Sequence, residues 1–450
     1  MKSLRKIFNE NRTLTLTTQG KEGPWSAKTF FAEKDGYIYV ALENSRTYRN
    51  IKENHQVVFV IERGKPDRFV QGIGIAEDLG KIDDVPEKHL LLNRNMELLA
   101  FIRFIPDIHV IRIKPVKLYV SDFSGEWHPR VEVDVTDAIL KEFAEKYPVR
   151  VPLWKKLLLA TRPFSFTVTV FSILIGALLA PEINGMWLAL TLLGGILVHA
   201  GINVLSDYND WKRGADTWRV LGSSRMLVDN QMNPKTLLMW GWLLFLFAAA
   251  IGAAVYFLRT EHIGWVILAG AFLGLFYTMP PIGLKYRALG DIAVFLAFGP
   301  LMSLGSWMIQ TQQPFSWEPV LASIPLGLLT IAILHANNYR DIEDDRRAGY
   351  VTMAGLLGPK GSAYYYAFLI IAAYVSLGLV VITGFLTPWA LLAFLSLPWA
   401  IKNINIALRP QRVAFFFLDL LTAQLHMFFG LFMTAGLIID KSLSPKYRPE

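Results

Sequence analysis

From Pro163 onward the chain is a succession of apolar runs, roughly 163 to 180, 187 to 205, 236 to 258, 263 to 279, 289 to 310, 319 to 337, 363 to 384, 386 to 401 and 413 to 438. Each approaches the ~20 residues that a helix needs to cross a bilayer. In hydrocarbon every backbone N–H and C=O must find its partner within the protein, and an isolated apolar run can do that only as a helix. The runs therefore specify an all-α polytopic membrane bundle of about nine transmembrane helices. The seventh and eighth runs are divided at "TGFLTPW".

The first third is different in kind. Residues 1 to 150 hold 24 Lys and Arg and 22 Asp and Glu, more than half of the charges in the chain. That is a water-soluble composition of near-neutral balance. Segments of strand type, "TLTLTT", "AKTFFAEKDGYIYVALE", "QVVFVIE", "FVQGIGIAEDLG" and "DIHVIRIKPVKLYVSD", alternate with turn signals, and "EKDG" reads as a hairpin. Short helices are expected in "SRTYRNIKENH" and "DDVPEKHLLLNRNMELLAFIRF", with another closing the domain near "VTDAILKEFAEKY". The expectation is a multi-domain chain: a mostly antiparallel β barrel or sandwich over 1–147, a linker over 148–162, and a membrane domain over 163–440. Pro148 and Pro152 break the preceding helix, and Trp154, Lys155, Lys156 and Arg162 suit a membrane surface.

The formal net charge of +8 is largely a matter of topology. Loops 206–235, 281–288, 338–362 and 402–412 hold 14 Lys and Arg, whereas the alternate loops and the tail hold only Arg259, Lys441, Lys446 and Arg448. The positive-inside rule puts the first set, and the N-terminal domain, on the cytosolic side of a multi-pass cell-membrane protein. The start "MKSLRKIFNENRTLTL" has no apolar h-region and does not read as a cleaved signal peptide. Without cysteine there is no disulfide, cysteine-ligated metal site or cysteine nucleophile. No basic stripe interleaved with aromatics suggests a nucleic-acid partner.

Two acidic clusters interrupt the apolar pattern, both on the cytosolic side. "GINVLSDYNDWKRGAD" follows the second run, with Asn203, Asp207 and Asp210 at helical spacing and Asp216 beyond Gly214. "NNYRDIEDDRRAG" follows the sixth, and Asp341 and Asp345 share a face if the helix continues. A charge at the bilayer centre costs about 2.5–3.5 kcal/mol, so these groups must face water, a cavity or a cation. One such cluster is ordinarily a solvated helix end; two on one side suit a shared divalent-metal site. Mg²⁺ takes oxygen ligands and is usually held by a few carboxylates together with substrate phosphates. Arg219, Arg225, Lys285, Arg287, Arg340, Arg346 and Arg347 would repel a bare ion but suit a metal-diphosphate complex.

These residues resemble the UbiA superfamily of membrane prenyltransferases. "DWKRGAD" is similar to its first Asp motif, "NNYRDIEDDRRAG" to its second, and "YTMPPIGLKYRALGDIAVFLAFGP" to its signature around the fourth and fifth helices. The wording "RDIEDD" most resembles the 1,4-dihydroxy-2-naphthoate polyprenyltransferases of menaquinone synthesis. The resemblance implies that Asp207, Asp210, Asp216, Asp341 and Asp345 hold Mg²⁺ on a polyprenyl diphosphate, supported by Asn203, with Arg340 in the catalytic group and an aromatic acceptor as second substrate. Tyr277 and Tyr339 offer faces to a carbocation, although core packing is their ordinary role. Two positions depart from the pattern: Ser206 stands where many relatives have Asn, and Tyr350 where relatives supply Lys or Arg to the diphosphate. His426 and Asp419 are further polar groups in the last run, with Arg412 a partner for Asp419.

The N-terminal stretch "TLTTQGKEGPWSAKTFFAEKDGYIYVALENSRTYRNIKEN" resembles the pyridoxamine-phosphate-oxidase-like, FMN-binding split barrels. That implies a flavin phosphate at Arg46, Thr47 and Arg49, or a barrel kept only for docking or regulation. A second class of function remains open at this point: a membrane transporter or ion-binding protein with a cytosolic flavin-type sensor. Transport sites lie near the bilayer midplane, whereas these carboxylates lie at helix ends among arginines.

Overall fold

The alternation in the first third becomes a seven-stranded antiparallel sheet in the computed structural model, which describes all residues except 65–66, 106, 125–129, 150, 412 and 444–450. Arg412, Lys446 and Arg448, which entered the charge count, lie outside the described residues. The chain divides into two units, Met1–Val151 and Pro152–Glu450.

The first unit runs α1 (Lys2–Glu10), β1 (Thr13–Gly20), β2 (Gly23–Lys34), β3 (Tyr37–Leu42), α2 (Arg46–Glu53), β4 (Gln56–Glu62), β5 (Arg68–Lys81), α3 (Lys88–Arg94), α4 (Glu97–Phe104), β6 (His109–Asp122), β7 (Val131–Asp134) and α5 (Asp137–Lys146). Strand order is β3-β2-β1-β4-β5-β6-β7, and β3 also pairs with β6 through Ile38↔Ile113, which closes the sheet into a barrel. The "EKDG" hairpin turns at Asp35 and Gly36, both with positive φ, as a two-residue turn of this hand requires. A Cβ at Gly36 would also lie 2.5 Å from Leu140 of α5. Leu14, Leu16, Phe31, Phe59 and Val120 point inward with Phe8 and Phe143 to form the core.

One polar cluster fastens α2 to this barrel. Asp78, at a register shift in β5, accepts from Tyr48 Oη at 2.8 Å, pairs with Lys52 at 2.7 Å, and meets His109 Nδ1 at 3.0 Å. Burial works against its charge, but Lys52, the Gly80 N–H, His109 and Tyr48 outweigh it and hold the carboxyl well below its ordinary range. Asp122, likewise opposed by burial but bonded by Ser124, Ser3 and Arg68, is held at about 2.

The second unit contains α6 (Leu153–Ala160), α7 (Phe166–Leu178), α8 (Gly185–Lys212), α9 (Pro234–Leu258), α10 (Gly264–Thr278), α11 (Gly290–Leu296), α12 (Met302–Thr311), α13 (Trp317–Arg340), α14 (Ile342–Arg347), α15 (Met353–Ile382), α16 (Leu397–Ala407) and α17 (Leu418–Leu443). Among the described residues eight helices are long and apolar enough to cross a membrane, or up to nine if Leu153–Ala160 and Pro163–Leu178, bent by 40°, form one broken span. Helices α11 and α12 act as one span, joined by a π-helical turn at Ala297–Leu301 that contains Pro300. The stretch expected as linker up to residue 162 is thus partly helix. Met239, Leu246, Phe257 and Leu268 are largely exposed. Apolar side chains turned outward on helices of this length identify the surroundings as lipid, and the chain as a multi-pass membrane protein. Helix α13 is the most enclosed span and packs with α15 and α17 around Tyr366, Leu329 and Phe429. Close approach depends on small residues: a Cβ at Gly176 would lie 2.0 Å from the Ser303 carbonyl oxygen, and one at Gly436 2.1 Å from that of Trp389.

The barrel has a pH signature. Because Asp78 and Asp122 bind protons less readily folded than unfolded, their stabilisation is complete above the unfolded carboxylate value near 3.8 and is lost as pH falls toward about 2. Hydrogen exchange of barrel peptides, corrected for intrinsic rate, should show protection collapsing over that window. Asp122→Asn should lower protection at neutral pH and flatten the acid limb.

Candidate active site

Helix α8 carries the first acidic cluster to its end, and Gly214, at φ +74°, turns the chain out of the helix. Asp207 and Asp210 are buried, facing the bundle. Asp207 is ion-paired with Arg162, at the bend between α6 and α7, and its Oδ2 accepts from the Ser224 N–H at 2.8 Å. Asp210 receives Lys285 Nζ at 2.7 Å on Oδ2 and Tyr286 Oη at 2.6 Å on Oδ1. Asn203, one turn back, donates to the Thr161 carbonyl at 3.0 Å and Ser165 Oγ at 3.2 Å. Ser206 is not idle: it accepts from Thr278 Oγ1 at 3.4 Å.

The second cluster does not continue α13. The helix ends with Asp341 in a non-helical conformation, and α14 begins at Ile342. Asp345 nevertheless keeps a backbone bond to the Asp341 carbonyl at 2.9 Å. Asp341 takes a two-toothed grip from Arg340, 3.1 Å from Nε and 2.8 Å from Nη2. Arg340 also reaches Asp419 of α17 at 2.9 Å, and Asn337 donates to Asp419 at 3.3 Å. Asp419 thus belongs to this cluster, while its expected partner Arg412 lies outside the described residues.

A short backbone bridge draws the clusters together. Val351 N–H donates to the Tyr286 carbonyl at 3.2 Å, and Ala288 N–H to that of Val351 at 2.6 Å. This sets the Tyr350 ring 4.5 Å from the Tyr286 ring, whose face also carries Arg213 at 4.5 Å. Gly222, in the loop after α8, packs so closely on Asn337 that a Cβ there would lie 2.9 Å from its Oδ1.

Lys285 is the positive centre of the arrangement. Burial opposes its charge, yet Asp210, Tyr277 and Asp216 overcome this and raise it above the ordinary lysine range. Asp216 is pushed up to about 7 by burial and by Asp210, against Lys285 and Arg162. Asp345 is also pushed up to about 7, by burial first, with Asp341 and Asp210 adding and Lys285 opposing. Asp345 Oδ2 and Tyr350 Oη are buried with no hydrogen-bond partner among the described residues.

The five expected ligands of Mg²⁺ therefore fall into two groups. Asp207 and Asp341 are taken up by arginines, while Asp210 is bonded to Lys285 and Asp216 and Asp345 lie within its electrostatic reach. Among the described residues no three carboxylates or imidazoles converge tightly enough to hold a metal by themselves. The donor set still fits Mg²⁺, which needs only one or two carboxylates where substrate phosphates and water complete its shell. A carboxylate with a buried unpartnered oxygen, among others short of positive charge, is suited to receiving that complex.

The expected cations divide likewise. Lys285 is at the site. Arg225 is a structural staple, gripping Asp229 at 2.9 Å and the Trp218 and Val220 carbonyls at 3.0 and 2.8 Å. Arg287 is exposed and bonds the Pro281 carbonyl at 3.0 Å; Arg346 is exposed; Arg219 lies against Trp218. Arg162 and Tyr286 are the site residues that sequence reasoning missed. Their signals are an Arg-Pro step heading an apolar run, and a tyrosine beside the loop lysine. His426 is fully buried near the Phe171 ring.

In the barrel, Arg46 bonds the Glu22 carbonyl and lies 4.8 Å from the Trp25 ring, and Arg49 reaches the Asn44 carbonyl at 3.3 Å. Thr47 is 1% exposed, so its hydroxyl does not present itself to a phosphate.

The sequence profile of the UbiA prenyltransferase family matches residues 169–431. UbiA prenyltransferase domain-containing protein 1 of Xenopus tropicalis is 29% identical over 350 residues, 74% of this chain and 96% of that protein. The 1,4-dihydroxy-2-naphthoate octaprenyltransferase of Bacillus subtilis (strain 168) is 29% identical over 284 residues, 62% of this chain and 91% of that protein. A solved UbiA homolog from Archaeoglobus fulgidus, bound to GPP and Mg²⁺, superposes with a TM-score of 0.47 at 16% identity, covering 62% of this chain and 99% of its own.

Arg162→Ala would leave Asp207 buried and unpaired. It should destabilise the membrane unit by about 3–5 kcal/mol, visible as a lower unfolding temperature in detergent, with Arg162→Lys in between. Arg287→Ala, which removes an exposed side chain, should leave that temperature nearly unchanged.

Proposed function

Since the chain belongs to the UbiA prenyltransferase family and is a prenyltransferase of the membrane, we propose that it moves a polyprenyl group from its diphosphate to an aromatic acceptor of the 1,4-dihydroxy-2-naphthoate type, as in menaquinone biosynthesis. The observation that carries this is the meeting of Asp210, Asp216 and Asp345 around Lys285 at the ends of α8 and α13. Charge of both signs at one helix-end site suits a metal-bound diphosphate better than a transported ion. The Bacillus relative's name supports the choice of acceptor.

On this reading Asp210, Asp216 and Asp345 would hold Mg²⁺, which would supply charge neutralisation of the leaving diphosphate. Lys285 turns from Asp210 toward the phosphate oxygens, and Tyr350 Oη offers them a hydrogen bond where relatives offer a cation. Asn203 holds the start of the α7 span against α8, and Asp207 and Asp341 position Arg162 and Arg340. The allylic C–O bond ionises within this frame, and apolar walls keep water from the cation until a ring carbon captures it. The same reading puts the N-terminal unit on the cytosolic side of the cell membrane. There the half-buried Arg46 and the exposed Arg49 at the start of α2 are the contacts for an FMN phosphate, with Thr47 limited to its backbone N–H.

The purified chain, given Mg²⁺, a polyprenyl diphosphate and 1,4-dihydroxy-2-naphthoate, should yield a prenylated product by mass spectrometry. Asp210→Ala and Asp341→Ala should each lower turnover by about 100-fold or more; activity within a few-fold of the parent would remove these residues from the site. Added FMN should co-purify with the protein as flavin absorbance, and a colourless product would reject that cofactor.

A further inference from the structure

Helices α11, α13 and α15 enclose a second polar group that the diphosphate site does not use. Asp291, in the first turn of α11, is 4% exposed and lies within electrostatic reach of the Tyr365 side chain of α15. Its Oδ2 has no partner among the described residues. His335 of α13 is fully buried, and its Nε2 lies 3.2 Å from the Ser362 carbonyl. A carbonyl can only accept, so Nε2 carries the proton and Nδ1 is a bare lone pair. Nδ1 too has no partner among the described residues. The Tyr365 ring stands edge-on to the imidazole at 4.7 Å, so the two unused acceptors bracket one tyrosine.

Unmet acceptors are costly in such a place. Each costs about 1–3 kcal/mol when buried, and a carboxylate inside a span points to function or to a partner. The group also adjoins the reacting end of the bundle: a Cβ at Gly290 would lie 3.5 Å from Lys285 Cα and 3.6 Å from the Tyr277 ring. Tyr277 stands within electrostatic reach of both Lys285 and Asp291.

We propose that Asp291 and His335 bind the aromatic acceptor through its hydroxyl groups, one hydroxyl donating to Asp291 Oδ2 and a second to His335 Nδ1. The inference rests on the reading of the chain as an aromatic prenyltransferase and names what makes its acceptor a dihydroxylated ring. Two buried lone-pair acceptors select two donors, because a ring with one hydroxyl leaves one of them unmet. The carboxylate also activates. As a ring carbon gives its electron pair to the allylic cation and the C–C bond forms, the hydroxyl proton passes to Asp291. When the ring's own carboxylate leaves as carbon dioxide, the electron pair it leaves behind restores aromaticity and the oxygen takes the proton back.

The test compares 1,4-dihydroxy-2-naphthoate with 1-hydroxy-2-naphthoate on the full chain with Mg²⁺ and geranyl diphosphate. Asp291→Asn should lower kcat/KM for the dihydroxy probe about 10- to 100-fold, while geranyl diphosphate affinity, measured by titration calorimetry, changes less than twofold. His335→Phe should erase the preference between the two probes. Tyr365→Phe, which keeps the packing, should cost several-fold and guards against a variant that fails to fold. An unchanged kcat/KM in Asp291→Asn, or an equal loss of diphosphate affinity, overturns the proposal. Equilibrium binding of the dihydroxy probe without diphosphate separates the two readings. Binding that depends on Asp291 in a chain that prenylates nothing would refute the reaction and keep the site; absence of binding in the parent would refute the site.

Discussion

Charge placed where water is scarce has to be answered by charge, and the membrane unit is organised around that need. Arg162 answers Asp207, Lys285 answers Asp210, and Arg340 answers both Asp341 and Asp419. All but the adjacent Arg340–Asp341 pair join different elements: the α6–α7 bend to α8, α8 to the loop before α11, and the end of α13 to α17. Between helices in lipid there is no hydrophobic force to set their order, so such pairs, with small-residue contacts at Gly176 and Gly436, decide which helix meets which. Removing one partner is therefore worse than removing both, since it strands a charge.

The same balance gives this end of the bundle two chemically distinct halves. Around Lys285 the surplus is negative, and the site gains by receiving cations and the phosphates they bring. Around Asp291 and His335 no lysine or arginine among the described residues exerts a pull, and the unmet groups are acceptors that call for neutral donors. A substrate pair made of a diphosphate ester and a hydroxylated ring matches that division, with Tyr277 in electrostatic reach of both Lys285 and Asp291.

Much of this was legible in the sequence because burial of charge is so costly in lipid. Aspartates inside or beside apolar runs could only be functional or paired, and both clusters sit where the apolar pattern ends. Pairing itself was not legible. Arg225 and Arg162 look alike in the chain, yet one is locked to Asp229 and the other reaches Asp207, a choice made by a loop path and a bend at Pro163. Helical spacing suggested one face for Asp341 and Asp345, but the helix yields at Asp341, whose carboxylate is drawn to Arg340. In the barrel, strands and the Asp35–Gly36 turn follow from local pattern. The β3–β6 pairing that closes it joins residues about 70 positions apart, beyond what alternation encodes.

That closure has a bearing on crowding. A protein confined to a bilayer meets copies of itself in two dimensions, where an open sheet edge would invite strand-to-strand polymerisation. With β3 bonded to β6, the outermost strand is β7, four residues long and bearing Glu132 and Asp134. Copies drawn together by their membrane anchors thus present one another with only a short strand, whose Glu132 and Asp134 are already answered by Lys117 of β6.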